Sequence, residues 1–248
     1  MEPEVYERNY EHQRSHWWFK SREKALDVLL HDHLPRGKVL DVGCGPGPYL
    51  NYFSKYGQVV GVDPYEPALA MARNIYTGTL VLGNAMALPF EDNSFQLVAA
   101  IDVLYHRGIW DVDRAVREMV RVLSPGGSMV VMDAAYNFLS STSGQHVARR
   151  FTRGELNNIL LRAGLVISRS TYAYSVLFPV VWVARKIHAL IDRDNPPESE
   201  LKAVPGWLNS ALIKWFGLEA AIGGRYSLPF GLAIHIIAKK PKDKNDCW

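Results

Sequence analysis

The feature that most constrains this chain is Val39-Leu-Asp-Val-Gly-Cys-Gly-Pro-Gly47, an apolar strand-like run that ends in alternating glycines. Glycine at 43, 45 and 47 lets the backbone turn tightly and approach a ligand with no Cβ in the way. A helix containing Tyr49, Leu50 and Phe53 is expected to follow. A second apolar run, Gln58-Val-Val-Gly-Val62, ends at Asp63, where a carboxylate can accept two ribose hydroxyls. The dinucleotide fingerprint G-x-G-x-x-G needs glycine at position 48, and Pro48 stands there. The G-x-G-x-G spacing favours a nucleoside without a pyrophosphate.

Around this loop the chain alternates apolar runs with helical patterns from Lys38 to about Ile167, the signature of βα units and a parallel sheet. Val39–Val42, Gln58–Val62, Thr79–Leu82, Phe95–Ile101 and Ser128–Met132 read as five strands, nearly continuous in apolar content, as strands covered on both faces are. Val112, Val116, Met119, Val120 and Leu123 recur at three and four residues behind an Asp111 cap, which predicts an amphipathic helix. Ser124-Pro-Gly-Gly127 ends it. Thr152-Arg-Gly-Glu155 is a capping box that opens another helix, ending at Ala163-Gly164 before Leu165-Val-Ile167.

The ends differ in kind. Residues 1–36 carry His16-Trp-Trp-Phe19 and a helix with Ala25, Leu26, Leu29 and Leu30 on one face, which predicts an N-terminal helical lid. The nucleoside-binding core then covers 37–171. Residues 172–230 are apolar and helical, broken at Asp194-Asn-Pro-Pro197 and Pro205-Gly206, and predict a cap over the carboxyl edge of the sheet. Residues 231–248 hold a last strand, Gly231–Ala238, and a basic tail, Lys239–Lys244, read as solvated. Phe178, Trp182, Trp207 and Trp215 of the cap, with Trp17 and Trp18 of the lid, are the aromatics expected to cover the reacting centre.

Composition narrows the function classes. With 48% hydrophobic residues the 248-residue chain has a sizeable core, and a net charge of +3 is too mild to imply nucleic acid by itself. Cys44 and Cys247 make neither a disulfide framework nor a zinc site, so no metal is expected. Val176–Ala184 is strongly apolar but only nine residues long, where a spanning helix needs about 20, so it reads as a core or lid helix, with a surface contact to a membrane as the alternative. The acidic, polar start has no signal-peptide core, which points to the cytoplasm.

Several motifs together resemble the class I S-adenosylmethionine-dependent methyltransferases. Val39–Gly47 is similar to the first motif of that family, and Gly61-Val-Asp-Pro64 to its ribose-binding motif. Gly83-Asn-Ala-Met-Ala-Leu-Pro-Phe90, Asp92-Asn-Ser-Phe95 and Arg121-Val-Leu-Ser-Pro-Gly-Gly127 are similar to its later ones. The resemblance implies an α/β fold: a Rossmann-like seven-stranded sheet, one strand antiparallel, with helices on both faces. It implies S-adenosylmethionine as cofactor and S-adenosylhomocysteine as product. Gly43 and Gly45 would pass under the amino-acid moiety, Asp63 would hold the ribose, and Asp41, Gly47 and Pro64 would also bind the cofactor. Asn84, Ala85 and Met86 would border adenine, and Asp102 would face the cofactor. Asn84 and Gln96 stand where acidic residues are common in that family. His16-Trp-Trp-Phe-Lys-Ser-Arg22 further resembles a microbial subgroup with an N-terminal His-Trp-Trp-Phe-x-x-Arg element, as do Arg149-Arg-Phe-Thr152, Leu177-Phe-Pro179 and Leu228-Pro-Phe-Gly231. An Asp and a His commonly precede the paired arginines there; this chain supplies His146 and no Asp.

Methyl transfer mainly needs the acceptor positioned and water excluded, and some acceptors also need a proton removed. His106 is a candidate base or a cofactor-side structural residue; His16 and His146 are candidates against ordinary hydrogen-bonding roles. Tyr6, Tyr10, Trp17 and Trp18 either wall the substrate or pack the N-terminal helix on the core. Arg22 either meets the methionine carboxylate or forms a surface salt bridge. Asn195-Pro-Pro197 lacks the aromatic residue and the placement of an amino-methylating motif and reads as a helix break. The expected acceptor is a small molecule with an apolar or aromatic body, methylated on O, N or C, by a monomer or homodimer with no nucleic-acid partner and no membrane span. A catalytically silent partner subunit, and the same fold with other chemistry such as cyclisation or decarboxylation, are the alternatives.

Overall fold

The computed structural model describes residues 3–31, 37–135, 149–191 and 204–242. Seven strands form one sheet: β1 (Gly37–Val42), β2 (Gly57–Asp63), β3 (Thr79–Leu82), β4 (Phe95–Ile101), β5 (Leu123–Ala134), β6 (Val166–Ala173) and β7 (Ala233–Lys239). Their order is β3-β2-β1-β4-β5-β7-β6, and β7 alone runs antiparallel, between β5 and β6. Val42 pairs with Val62 on one side and Ala100 on the other, so Gly43, Asp63 and Asp102 leave the sheet side by side at its carboxyl edge.

Eight helices are found among the described residues: α1 (Pro3–His12), α2 (Trp17–Leu30), α3 (Leu50–Phe53), α4 (Glu66–Arg73), α5 (Val112–Val122), α6 (Arg153–Arg162), α7 (Leu177–Ile191) and α8 (Gly206–Arg225). Successive strand side chains point to opposite faces, so one strand feeds two cores. Met129 and Val131 of β5 join Val116 and Met119 of α5 and Leu156 of α6. Val130 and Met132 join Leu26 and Leu30 of α2, Phe53 of α3 and Leu69 of α4. Asp111 Oδ1 accepts from the Arg114 N–H, and Thr152 with Glu155 forms the expected capping box.

Four local expectations change. The helix after the glycine loop is a single turn, with Tyr49 as its N-cap. β5 begins at Leu123, so Ser124–Gly127 is an irregular start to the strand, paired through Leu123 with Phe95. β6 reaches Ala173: it is an edge strand, and its outer half tolerates the polar Ser168–Thr171 that a buried strand excludes. The insertion between β6 and β7 is helical, but α8 lies along α2, with Gly217 against Lys24 and Gly224 against Val28. Only its first half reaches the carboxyl edge, where Asn209 accepts from the Trp17 N–H at 2.7 Å and donates to the Ser15 carbonyl at 2.9 Å. The break expected at Asp194–Pro197 lies outside the described residues. Among the described residues no helix is long and apolar enough to cross a membrane.

The start of α2 is set by His16, buried and extended at the N-cap, whose Nδ1 accepts from the Trp18 N–H at 3.2 Å. That accounts for the residue as a cap inside the fold and not as a surface histidine. His16→Ala is expected to lower stability by about 1–2 kcal/mol, and His16→Asn, which caps equally well, to lose less. Urea unfolding of both variants checks the order; equal losses would remove the capping role.

Candidate active site

The glycine loop leaves β1 in left-handed backbone, φ 69° at Gly43, 52° at Gly45 and 87° at Gly47. The Gly43 and Cys44 N–H groups both donate to the Val62 carbonyl, at 2.7 and 3.1 Å. A Cβ on Gly43 would stand 2.6 Å from Val103, so both conformation and space require glycine there. The buried Asp63 carboxylate has a duty its position alone does not reveal. Its Oδ2 accepts from the Gly45 N–H and its Oδ1 from the Tyr65 N–H, each at 2.9 Å, which ties the loop to the end of β2. Pro64 is exposed in the turn that follows. α1 lies across this corner: Tyr6 is buried, stacks on Tyr65 at 4.9 Å, and faces Gly45. Tyr10, the residue singled out from the sequence, is half-buried further along the helix.

Asp41 sits fully inside β1, and its Oδ2 has no partner among the described residues. Burial, and then the charge of Asp63, pushes its carboxyl up to about 8. An orphaned buried carboxylate oxygen beside a backbone cradle that a Cβ would fill suits the cationic, nucleoside-bearing cofactor that the resemblance implies. Past β3 the exposed Asn84 folds into a turn, its Oδ1 accepting from the Met86 N–H at 2.9 Å. Ala85 and Met86 are buried, and Arg114 Nε donates to the Met86 carbonyl.

Asp102, one residue past β4, is held at φ 59° with its N–H on the Met132 carbonyl at 2.8 Å. Arg22 grips its carboxylate with both terminal nitrogens, Nη2 to Oδ1 at 2.9 Å. Arg22 is 1% exposed, which overturns the surface salt-bridge reading. Burial works against the guanidinium charge, and Asp102 beside it more than restores it. Trp18 stacks over Arg22 at 4.4 Å, and Tyr174, also in left-handed backbone at φ 60°, stacks on Trp18 at 5.0 Å. Trp17 meets Phe216 of α8 at 5.5 Å. The two tryptophans therefore pack α2 onto the insertion.

Other candidates fall differently. His106 Nδ1 accepts from the Gly108 N–H at 3.1 Å, so a neutral ring carries its proton on Nε2 and presents a donor, not a base. His146 lies outside the described residues. Trp182, Trp207 and Trp215 do not cover the site; they are 41%, 74% and 51% exposed. Sequence reasoning missed Tyr174, Ser21 and His235. Ser21 Oγ lies 3.0 Å from the Tyr174 hydroxyl, and His235 is buried, its pKa pushed down to about 3 by burial and by Arg22. It missed Asp133 too, wholly buried at the end of β5 with its carboxyl pushed up by burial. An Asp at the end of an apolar run was the one available signal.

With this geometry in place, comparison with known proteins is informative. Residues 40–131 match the family model described as "Methyltransferase domain". "Probable tRNA methyltransferase 9B" of Mus musculus is 36% identical over 104 residues, 42% of this chain and 23% of that protein, so the chain spans less than a quarter of this relative's length. "Ubiquinone/menaquinone biosynthesis C-methyltransferase UbiE" of Escherichia coli is 28% identical over 195 residues, 74% of this chain and 70% of that one. The solved structure of a Thermotoga maritima "SAM-dependent methyltransferase, possible histamine N-methyltransferase" superposes with a TM-score of 0.60 at 20% identity, over 96% of this chain and 95% of that one, a likeness of fold.

The Asp41 geometry carries a pH dependence. Its native pKa near 8 is above the ordinary carboxylate value of 3.8, so between roughly pH 4 and 8 the native state holds a proton that the unfolded state has lost. Stability therefore falls as pH rises through that window. The wild type is expected to lose up to about 1 kcal/mol per pH unit relative to Asp41→Asn. Denaturant unfolding of both proteins at pH 5, 6.5 and 8 checks it, and parallel curves would refute it.

Proposed function

We propose that this chain is a class I S-adenosylmethionine-dependent methyltransferase and that it methylates a small molecule with an apolar or aromatic body. When bound, S-adenosylmethionine supplies a methyl group on a sulfonium, open to in-line displacement. Asp63 and the loop Gly43–Gly47 hold the nucleoside end, with Ala85 and Met86 against the base. Asp41 offers its unpaired oxygen to positive charge. The Arg22–Asp102 pair carries both signs at one place, and Arg22 Nε has no partner among the described residues, which suits an amino-acid zwitterion.

The observation that carries the acceptor reading is the aromatic cluster beside Asp102: Trp17, Trp18, Tyr174 and Phe216, closed by Leu177 and Leu212. Such a wall excludes water and holds an apolar body against the methyl donor. A relative that matches 74% of this chain is named a ubiquinone/menaquinone biosynthesis C-methyltransferase. The tRNA methyltransferase relatives match 42% of this chain. We place the enzyme in the cytoplasm, with His106 as a hydrogen-bond donor at the site.

Incubation with isotope-labelled S-adenosylmethionine and two panels, alkylated phenols and quinols against bulk tRNA, tests this by mass spectrometry. The expected result is labelled small-molecule product with stoichiometric S-adenosylhomocysteine, abolished in Asp63→Ala, whose lost acceptor bonds lower S-adenosylhomocysteine affinity by about a hundredfold or more. Label in tRNA and in no small acceptor would refute the reading. His106→Asn keeps an acceptor for the Gly108 N–H. It should lower kcat by less than about tenfold with an unchanged pH profile, whereas loss of a general base costs about 10²–10⁴-fold.

A further inference from the structure

α8 is built the reverse way round from an ordinary surface helix. The face against α2 and β6 carries Gly217, Ala220, Gly223 and Gly224, and its outer face carries Trp207, Trp215, Leu218 and Ile222, between 46% and 74% exposed. These four recur at i, i+8, i+11 and i+15, one continuous stripe. α7 repeats the pattern, with Val176, Val180, Val183 and Ile187 in one exposed row from 46% to 62%. Contiguous apolar surface on this scale marks a contact site, because it gains nothing from water.

The charges on these helices select the partner. Among the described side chains of α7 and α8 the exposed charged residues are Lys186, Lys214 and Arg225, all basic. The one carboxylate, Glu219, turns inward and accepts from the Ser175 N–H at 3.1 Å through both oxygens. Lys186 lies over the Trp182 ring, and Trp182, Trp207, Trp215 and Tyr226 are the ring types that settle at a water–hydrocarbon boundary. A second copy of the same face would bring like charges together.

We propose that the outer faces of α7 and α8 dock this chain on an anionic lipid bilayer, lying in the headgroup boundary without crossing it. Apolar stripes edged by cations, on helices not long and apolar enough to span, are the features that such interfacial helices share. The inference stands apart from the identity of the acceptor, since binding is read without any reaction.

Co-sedimentation with vesicles of phosphatidylcholine alone, or with added phosphatidylglycerol, tests it. The wild type should partition at least about tenfold more strongly onto the anionic vesicles, and lose most of that preference in about 0.5 M salt. Trp215→Ser with Ile222→Ser should lower partitioning at least about tenfold, with S-adenosylhomocysteine affinity unchanged as proof of fold. Lys186→Glu with Lys214→Glu, an exposed pair that leaves packing alone, should abolish the preference for anionic lipid. No sedimentation with anionic vesicles, or binding indifferent to both variant pairs, would overturn the proposal. So would a wild-type dimer in light scattering that the serine pair breaks without any vesicle binding, which would make the face a contact between copies.

Discussion

A charged arginine enclosed in the fold is tolerable only while its partner is in place. Arg22 is buried on α2, and the carboxylate that neutralises it stands 80 residues later at the end of β4. Removing one member of such a pair leaves the other charge stranded, about 3–5 kcal/mol of destabilisation. Most of the carboxyl edge leans on that contact. It holds the N-terminal end of α2 against the sheet, fixes Asp102 in left-handed backbone, and gives Trp18 a cation to stack on. Tyr174 stacks on Trp18, Phe216 on Tyr174, and α8 is thereby registered against α2.

The same edge shows how carboxylates divide labour by surroundings. Asp63 answers to two backbone N–H groups, Asp102 to a guanidinium, and Asp41 and Asp133 to burial. Four acids on four neighbouring strands thus have four different sets of surroundings along the carboxyl edge. A ligand with positive charge at one end and hydroxyls at the other meets complementary groups without any loop having to be rebuilt. In the aromatic cluster the Tyr174 hydroxyl is met by Ser21 Oγ at 3.0 Å.

Much of this was legible in the sequence because it is local. The glycines at 43, 45 and 47, Asp63 after an apolar run, the Asp111 cap and the Thr152–Glu155 box each declare themselves within a few residues, and each holds its expected backbone position. What was not legible depends on partners far along the chain. The Arg22–Asp102 pair and the Trp18–Tyr174 stack join segments that no spacing rule connects. His16 reads as a catalytic candidate until it is seen capping its own helix. The polar Ser168–Thr171 shortened β6 because alternation is a weak sign at a sheet edge. α8 was misjudged for a different reason: a helix apolar on every side has no periodicity to say which face is inward, and here the glycines take that face.

The place of β7 has a bearing on how the molecule is made. This strand, the last of the seven, lies between β5 and β6 and hydrogen-bonds to both. While residues 233–239 are still within the ribosome, β5 offers an unpaired edge and β6 has no sheet to join. The strands that frame the nucleoside loop, β1 to β4, have emerged long before. Synthesis therefore delivers the cofactor half first, and the antiparallel strand arrives as a wedge that closes the sheet from the middle. During that interval an open strand edge and the outward tryptophans of α8 are exposed together, the combination that invites association with other chains. A vectorially synthesised chain of this topology depends on the speed of its final insertion more than on the order of its earlier strands.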